Sequence, residues 1–289
     1  MRVCLGVTLA LLVAQASRAD ERHAMRGLVI SIDPARRSFI VSHEAVPDVM
    51  AAMRMAFEVR DRDALNGVEP GMTVEFTLVV ASDATYAEAV RIRPYETVEQ
   101  DPLAARRLRL LEQAASPALS APASLPVGQP VPDFTLTDQL RRAVTLSTLR
   151  GKVVAVNFVY TSCALPQFCF RTANHFGALQ RRFKAQLAGD LVMLTVTFDP
   201  VRDTPEVLSE YATQLHADAN AWRFLTGATE EVKRVCRLFG VDAFEEEGLM
   251  NHSLRTAVID RQGNLAANIE GNLYTATQLG DLVEAVLAR

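Results

Sequence analysis

The residues best placed to do chemistry are Cys163 and Cys169, in Thr161-Ser-Cys163-Ala-Leu-Pro-Gln-Phe-Cys169-Phe170. In one continuous helix, six residues of about 1.5 Å rise would part their Cα atoms by roughly 9 Å. That exceeds the roughly 7 Å limit for a disulfide, so the segment must loop. Pro166 agrees with a loop, because proline disfavours helix in the residue before it and suits the first turn of a helix after it. Cys169 then falls in a first helical turn, where free N–H groups and the helix dipole favour thiolate over thiol. Such a pair can form a stabilising disulfide, exchange disulfides with a partner, or bind a soft ion such as Cu(I). The pair alone leaves these uses open.

The elements around the pair are those of an α/β domain. The apolar run Val153-Val-Ala-Val-Asn-Phe-Val-Tyr160 reads as a buried strand emptying into the thiol loop, the usual place for a site in such sheets. Phe168, Phe176, Leu179, Phe183 and Leu187 give the following helix an apolar stripe. Leu191–Thr197 and Trp222–Leu225 read as further strands. Thr204-Pro205 starts a helix, and Thr275-Ala-Thr-Gln278 is a capping box before the last one. Arg261-Gln-Gly-Asn264 is the turn of a terminal hairpin. Alternating strands and helices imply parallel strands with crossovers, here a thioredoxin-like fold. Cys236 lies on the apolar face of Val232, Val235 and Phe239 and reads as a core thiol. His175, His216 and His23 read as solvent-exposed. Asp199, at a strand end, is either an acceptor orienting His252 or a turn residue before Pro200.

From Arg26 to about Glu96 the pattern is strand and turn throughout, five short strands that suggest a small antiparallel, OB-like β-barrel. After its second strand come His43, Met50, Met53 and Met55, holding three of the eight methionines in the chain. Met53 and Met55, two apart, share one side of a strand. One imidazole and up to three thioethers make a soft N/S ligand set suited to Cu(I) or Ag(I). Residues 97–130 form a connector, with a short helix at Leu103–Glu112 and an Ala/Pro/Ser-rich stretch after it, and 131–289 form the second module.

The chain has 289 residues, 49% hydrophobic and 22% charged, enough for one full domain and a smaller one. Residues 1–19 read as a signal peptide: Arg2, the apolar run Val3 to Ala16, then Ser17-Arg-Ala19. The run is short for a membrane span, so the expected location is the periplasm, with an uncleaved anchor as the minority reading. Cleavage leaves 28 basic against 34 acidic residues, which argues against nucleic acid as a partner.

Three stretches in order resemble the Sco/SenC family: Gly151-Lys-Val-Val-Ala-Val-Asn-Phe-Val-Tyr-Thr-Ser-Cys163, Phe198-Asp-Pro-Val-Arg-Asp-Thr-Pro-Glu206 and Asn251-His252-Ser253. The resemblance implies a thioredoxin-like domain in which Cys163, Cys169 and His252 bind copper. Its implied role is to deliver copper to, or reduce the cysteines of, the binuclear copper site of cytochrome oxidase. The implied partners are a cuproprotein recipient and a thiol reductant. Five residues separate the cysteines where the family has three, and Phe170 stands where the family has proline. The first module resembles the CusF-like periplasmic copper-binding domain, with His43, Met53 and Met55 on its ligand positions and Met50 replacing its tryptophan cap. The implied function is a metallochaperone; the competing one is a thiol–disulfide oxidoreductase, although Trp-Cys-x-x-Cys is absent.

Overall fold

The structure, a computed structural model, describes residues 20–95, 124–163, 166–246 and 249–289. The leader 1–19 and the helix expected at 103–112 lie outside them.

The first sheet contains β1 (Glu21–Asp33), β2 (Ser38–His43), β3 (Met53–Glu58), β4 (Thr73–Val80) and β5 (Thr85–Ile92). It is antiparallel, in the order β3-β2-β1-β4-β5. The edges β3 and β5 meet at one parallel bridge, Val59 to Ala87, so the barrel is only partly closed. Strand alternation sends Phe39, Phe57 and Phe76 inward, where their rings pack edge to face at 4.8 and 5.4 Å. β1 begins at Glu21, five residues before the strand pattern becomes evident.

The second sheet contains β6 (Thr135–Asp138), β7 (Ala143–Thr145), β8 (Val153–Val159), β9 (Leu191–Thr197), β10 (Trp222–Thr226), β13 (Arg255–Ile259) and β14 (Leu265–Glu270), in the order β14-β13-β8-β9-β10-β6-β7. Strands β8, β9 and β10 run parallel. Helices α1 (Arg171–Arg182), α2 (Pro205–Gln214) and α4 (Ala276–Leu287) cover one face, and α3 (Thr229–Leu238) the other. With both faces covered, β8 is buried along its whole length: Val153 and Ala155 face one core, Val154, Val156 and Phe158 the other. Thr204 caps α2, and Thr275 with Gln278 forms the expected capping box of α4. Between α3 and β13 lies an arm the strand pattern did not foretell, β11 (Ala243–Glu246) paired with β12 (Leu249–His252), outside the main sheet.

The connector's end belongs to the second module: Leu125 packs on its core and the Gly128 N–H donates to the Leu265 carbonyl at 2.7 Å. The first sheet rests directly on that module, with Leu28, Ile30 and Ile40 in one apolar cluster with α4. Cys236 is a core thiol, 4% exposed, and burial pushes it up to about 12.

His175 is not the exposed residue expected. Its ring packs on Tyr274 at 4.9 Å, and burial, with a smaller contribution from Arg171, lowers its pKa to about 4. Because the unfolded chain takes up this proton near pH 6.5 and the folded chain does not, the contribution is whole above pH 6.5 and is lost between 6.5 and about 4. Discounted for partial exposure, the loss is about 2 kcal/mol. Urea midpoints at pH 7 and 4.5 should show it, and His175→Gln should flatten the decline; an identical decline in the variant would refute it.

Candidate metal centres

The thiol loop leaves the C-terminal end of β8 and enters a π-helical turn, Pro166–Phe170, that leads straight into α1. Cys163 is half-buried and Cys169 is 1% exposed; neither forms a disulfide, and their side chains are hydrogen-bonded to each other. The helix start does not favour a Cys169 thiolate. The Cys163 contact, and then burial, raises its pKa, because removing a buried proton shared with a neighbouring sulfur outweighs the helix dipole. The Tyr160 hydroxyl is hydrogen-bonded to Cys163.

His252 ends β12, and its ring faces the thiol loop. It packs on Phe198 at 4.5 Å, Tyr160 at 5.8 Å and Phe168 at 6.5 Å, the last lying between the two cysteines in sequence. Burial lowers its pKa, which keeps the imidazole neutral, while Nδ1 lies 3.2 Å from the Ser253 carbonyl. The arm is rooted at Ser253, whose N–H donates to the Asp242 carbonyl and whose hydroxyl donates to the Gly240 carbonyl. The Asp199 carboxylate accepts from Arg202 at 3.1 Å, and the His252 ring bonds instead at the Ser253 carbonyl. Among the described residues no three His, Cys, Asp or Glu side chains converge as a ready metal cage. As they stand, Cys163, Cys169 and His252 do not form such a cage.

Asp203 was missed in the sequence. It is fully buried and accepts from the Thr161 N–H at 3.1 Å, the Thr161 hydroxyl at 2.5 Å and the Thr197 hydroxyl at 2.5 Å, which pins the start of the thiol loop to the end of β9. Its sequence signal is its place in the family-like stretch Phe198–Glu206, which by itself assigns it no role.

In the first module, His43 pairs directly with Met53 across β2 and β3, and Val41 with Met55, so the three expected ligands lie on the inner face. His43 is 1% exposed and packs on Phe57 at 6.0 Å; Met53 is 51% exposed, and Met50 and Met55 flank the same core. His43 Nδ1 lies 2.6 Å from the Glu44 carbonyl, and Nε2 is buried without a partner. A buried, unpartnered ring nitrogen beside thioethers fits a soft cation. Gly27 stands opposite His43, where a Cβ would come within 2.6 Å of the His43 Cα, so the ligand strand requires glycine there.

A sheet with parallel strands at its centre, a thiol pair where β8 ends and a neighbouring imidazole together define a thioredoxin-like domain, here joined to a small soft-ligand barrel. The chain belongs to the SCO1/SenC family, whose model matches residues 124–287. A second model, copper binding periplasmic protein CusF, matches residues 22–93. The mitochondrial protein SCO1 of Saccharomyces cerevisiae is 27% identical over 160 residues, covering 53% of this chain and 52% of its own length. A SCO2-like protein of Rickettsia prowazekii is 31% identical over 137 residues, covering 45% of this chain and 64% of its own. The chain thus spans about half to two thirds of these relatives. A SCO1/SenC family lipoprotein of Bacillus anthracis shares the fold, with a TM-score of 0.50 and 22% identity, covering 56% of this chain and 96% of that one.

Proposed function

We propose that this chain is a periplasmic copper metallochaperone with two sites, exported by its leader. Cys163, Cys169 and His252 hold the copper that is handed on, and His43, Met53 and Met55 hold a second Cu(I). The observation that carries the reading is the pair of touching sulfurs, one half-exposed and one buried, with a neutral imidazole in the same ring cluster. Two sulfurs and an imidazole suit trigonal Cu(I), which exchanges ligands one at a time with a recipient. In that exchange Cys163 is the reachable sulfur, Cys169 the retained one, and His252, on its separate arm, the ligand that comes and goes. Family membership supports a cuproprotein recipient, and the resemblance points to the binuclear copper site of cytochrome oxidase, with a thiol reductant keeping the pair reduced.

Anaerobic Cu(I) titration tests the reading. Two equivalents per chain are expected, with His252→Ala removing or greatly weakening one and the joint Met53→Ala, Met55→Ala change the other. A single equivalent that survives His252→Ala eliminates the triad. The sulfur contact also favours a second reading, thiol–disulfide exchange: Cys163 attacks a partner disulfide, and Cys169 then displaces the partner as a dithiol while Cys163 and Cys169 become the disulfide. That reaction proceeds in metal-free protein and is indifferent to His252→Ala.

A further inference from the structure

The ligand rung of the barrel lies at the loop end of a hairpin. β2 ends at His43, β3 begins at Met53, and residues 44–52 form the loop between them. β1 holds the His43 side of this rung, since Gly27 pairs with His43 and the Glu44 N–H donates to the Arg26 carbonyl at 2.9 Å, whereas the Met53 side, on the edge strand, depends on the rung behind it. Here that rung is Ser42 opposite Arg54, set between the His43–Met53 and Val41–Met55 pairs and facing the other way.

Helix α4 of the second module grips it. The Ser42 hydroxyl donates to Asp281 Oδ2 at 2.7 Å, and Gln278 Nε2 donates to the Ser42 carbonyl at 2.9 Å. Arg54 donates to the Asp281 carbonyl at 3.2 Å and pairs with Glu284 at 3.4 Å. Arg182, from the last turn of α1, holds the other Asp281 oxygen at 2.8 Å. Ser42 is 2% and Asp281 7% exposed, so these bonds are shielded from water. Ile40, on the same outward face, continues the contact as apolar packing.

We propose that Asp281 and Gln278 are positioning residues for the His43/Met53/Met55 site, holding its ligand hairpin in register from the other module. The proposal rests on the two-site reading above, and it makes barrel occupancy and α4 docking reciprocal: whatever strengthens one strengthens the other by the same factor. The gripped rung reaches the ligands only through the backbone they share, so the grip preorganises the site without touching the metal.

The test uses the full chain carrying Cys163→Ser, Cys169→Ser and His252→Ala, so that only the barrel binds. Cu(I) affinity is read by competition with a chromogenic Cu(I) chelator, and amide exchange is followed in residues 278–284. Asp281→Ala and Ser42→Ala should each raise the Kd about tenfold, the equivalent of about 1.4 kcal/mol. Asp281→Asn, which keeps an acceptor for Ser42, should recover most of the loss. Val286→Ala, a core change in α4 away from Ser42, should lower Tm and leave Kd unchanged. Cu(I) should slow exchange in α4 of the parent and have no such effect in Ser42→Ala. Should Asp281→Ala not fold, Ser42→Ala decides, since it removes one hydroxyl. A parental Kd in Ser42→Ala, with α4 exchange insensitive to Cu(I), overturns the proposal and leaves the barrel site standing. A parent chain that takes up no Cu(I) overturns the barrel site and the proposal together.

Discussion

Changing Cys169 to serine is expected to reduce Cu(I) binding from two tight equivalents to one and to weaken the thiol centre on the order of a thousandfold, about 4 kcal/mol. A hydroxyl is a hard, rarely ionised donor in place of a soft one, while the chain around it should hold: the backbone carbonyl of residue 169 keeps its bond from the Thr172 hydroxyl at 2.9 Å. The pH dependence separates this centre from the barrel. In the metal-free chain the Cys163 contact and burial hold the Cys169 proton well above the usual thiol range, so Cu(I) must expel it. Affinity at the thiol centre should therefore rise with pH, about tenfold per unit for each proton released. The Met53 and Met55 thioethers carry no proton to lose. Chelator competition at pH 6, 7 and 8 should show a steep rise that Cys169→Ser removes; a flat profile in the parent would mean that the pair does not bind as thiolates.

The parts of this site legible in the sequence are those fixed by local pattern. β8 announces itself by an apolar, valine-rich run broken only by the buried Asn157, because a strand covered on both faces has no solvent face to show. The Thr204 cap and the Thr275–Gln278 box are readable because each satisfies backbone groups within one turn. The pairing of Met53 and Met55 on one side follows from strand alternation alone. What escaped depends mostly on distant contacts, the β11–β12 arm being the local exception. The β11–β12 arm escaped because its acidic centre, Glu245-Glu-Glu-Gly248, reads as a polar turn. His175 escaped because the Tyr274 ring that covers it comes from ninety-nine residues further along the chain. The direction of the Cys169 shift reversed because burial and a second sulfur, both tertiary, outweigh the local helix dipole. The grip of α4 on Ser42 joins residues 239 apart, beyond any local signal.

Asp203→Ala is expected to produce the largest loss of stability of any single change at the thiol loop. Its carboxylate is completely buried and accepts three hydrogen bonds from two threonines, one at the start of the thiol loop and one at the end of β9. Truncation leaves the Thr161 N–H and two hydroxyls without their acceptor, at a combined cost of about 3 kcal/mol. For a module of this size that corresponds to a fall in Tm of roughly 6–12 °C. Asp203→Asn should cost less, because the threonine hydroxyls can turn and accept from its amide. The consequence for the site follows from chain connectivity: Cys163 lies two residues beyond Thr161, and Cys169 is buried only while that loop stays closed. A thiol reagent should therefore modify Cys169 about tenfold faster in Asp203→Ala, as local opening becomes easier, with Asp203→Asn in between. If Tm falls while Cys169 reacts at the parental rate, Asp203 braces the sheet and does not hold the loop.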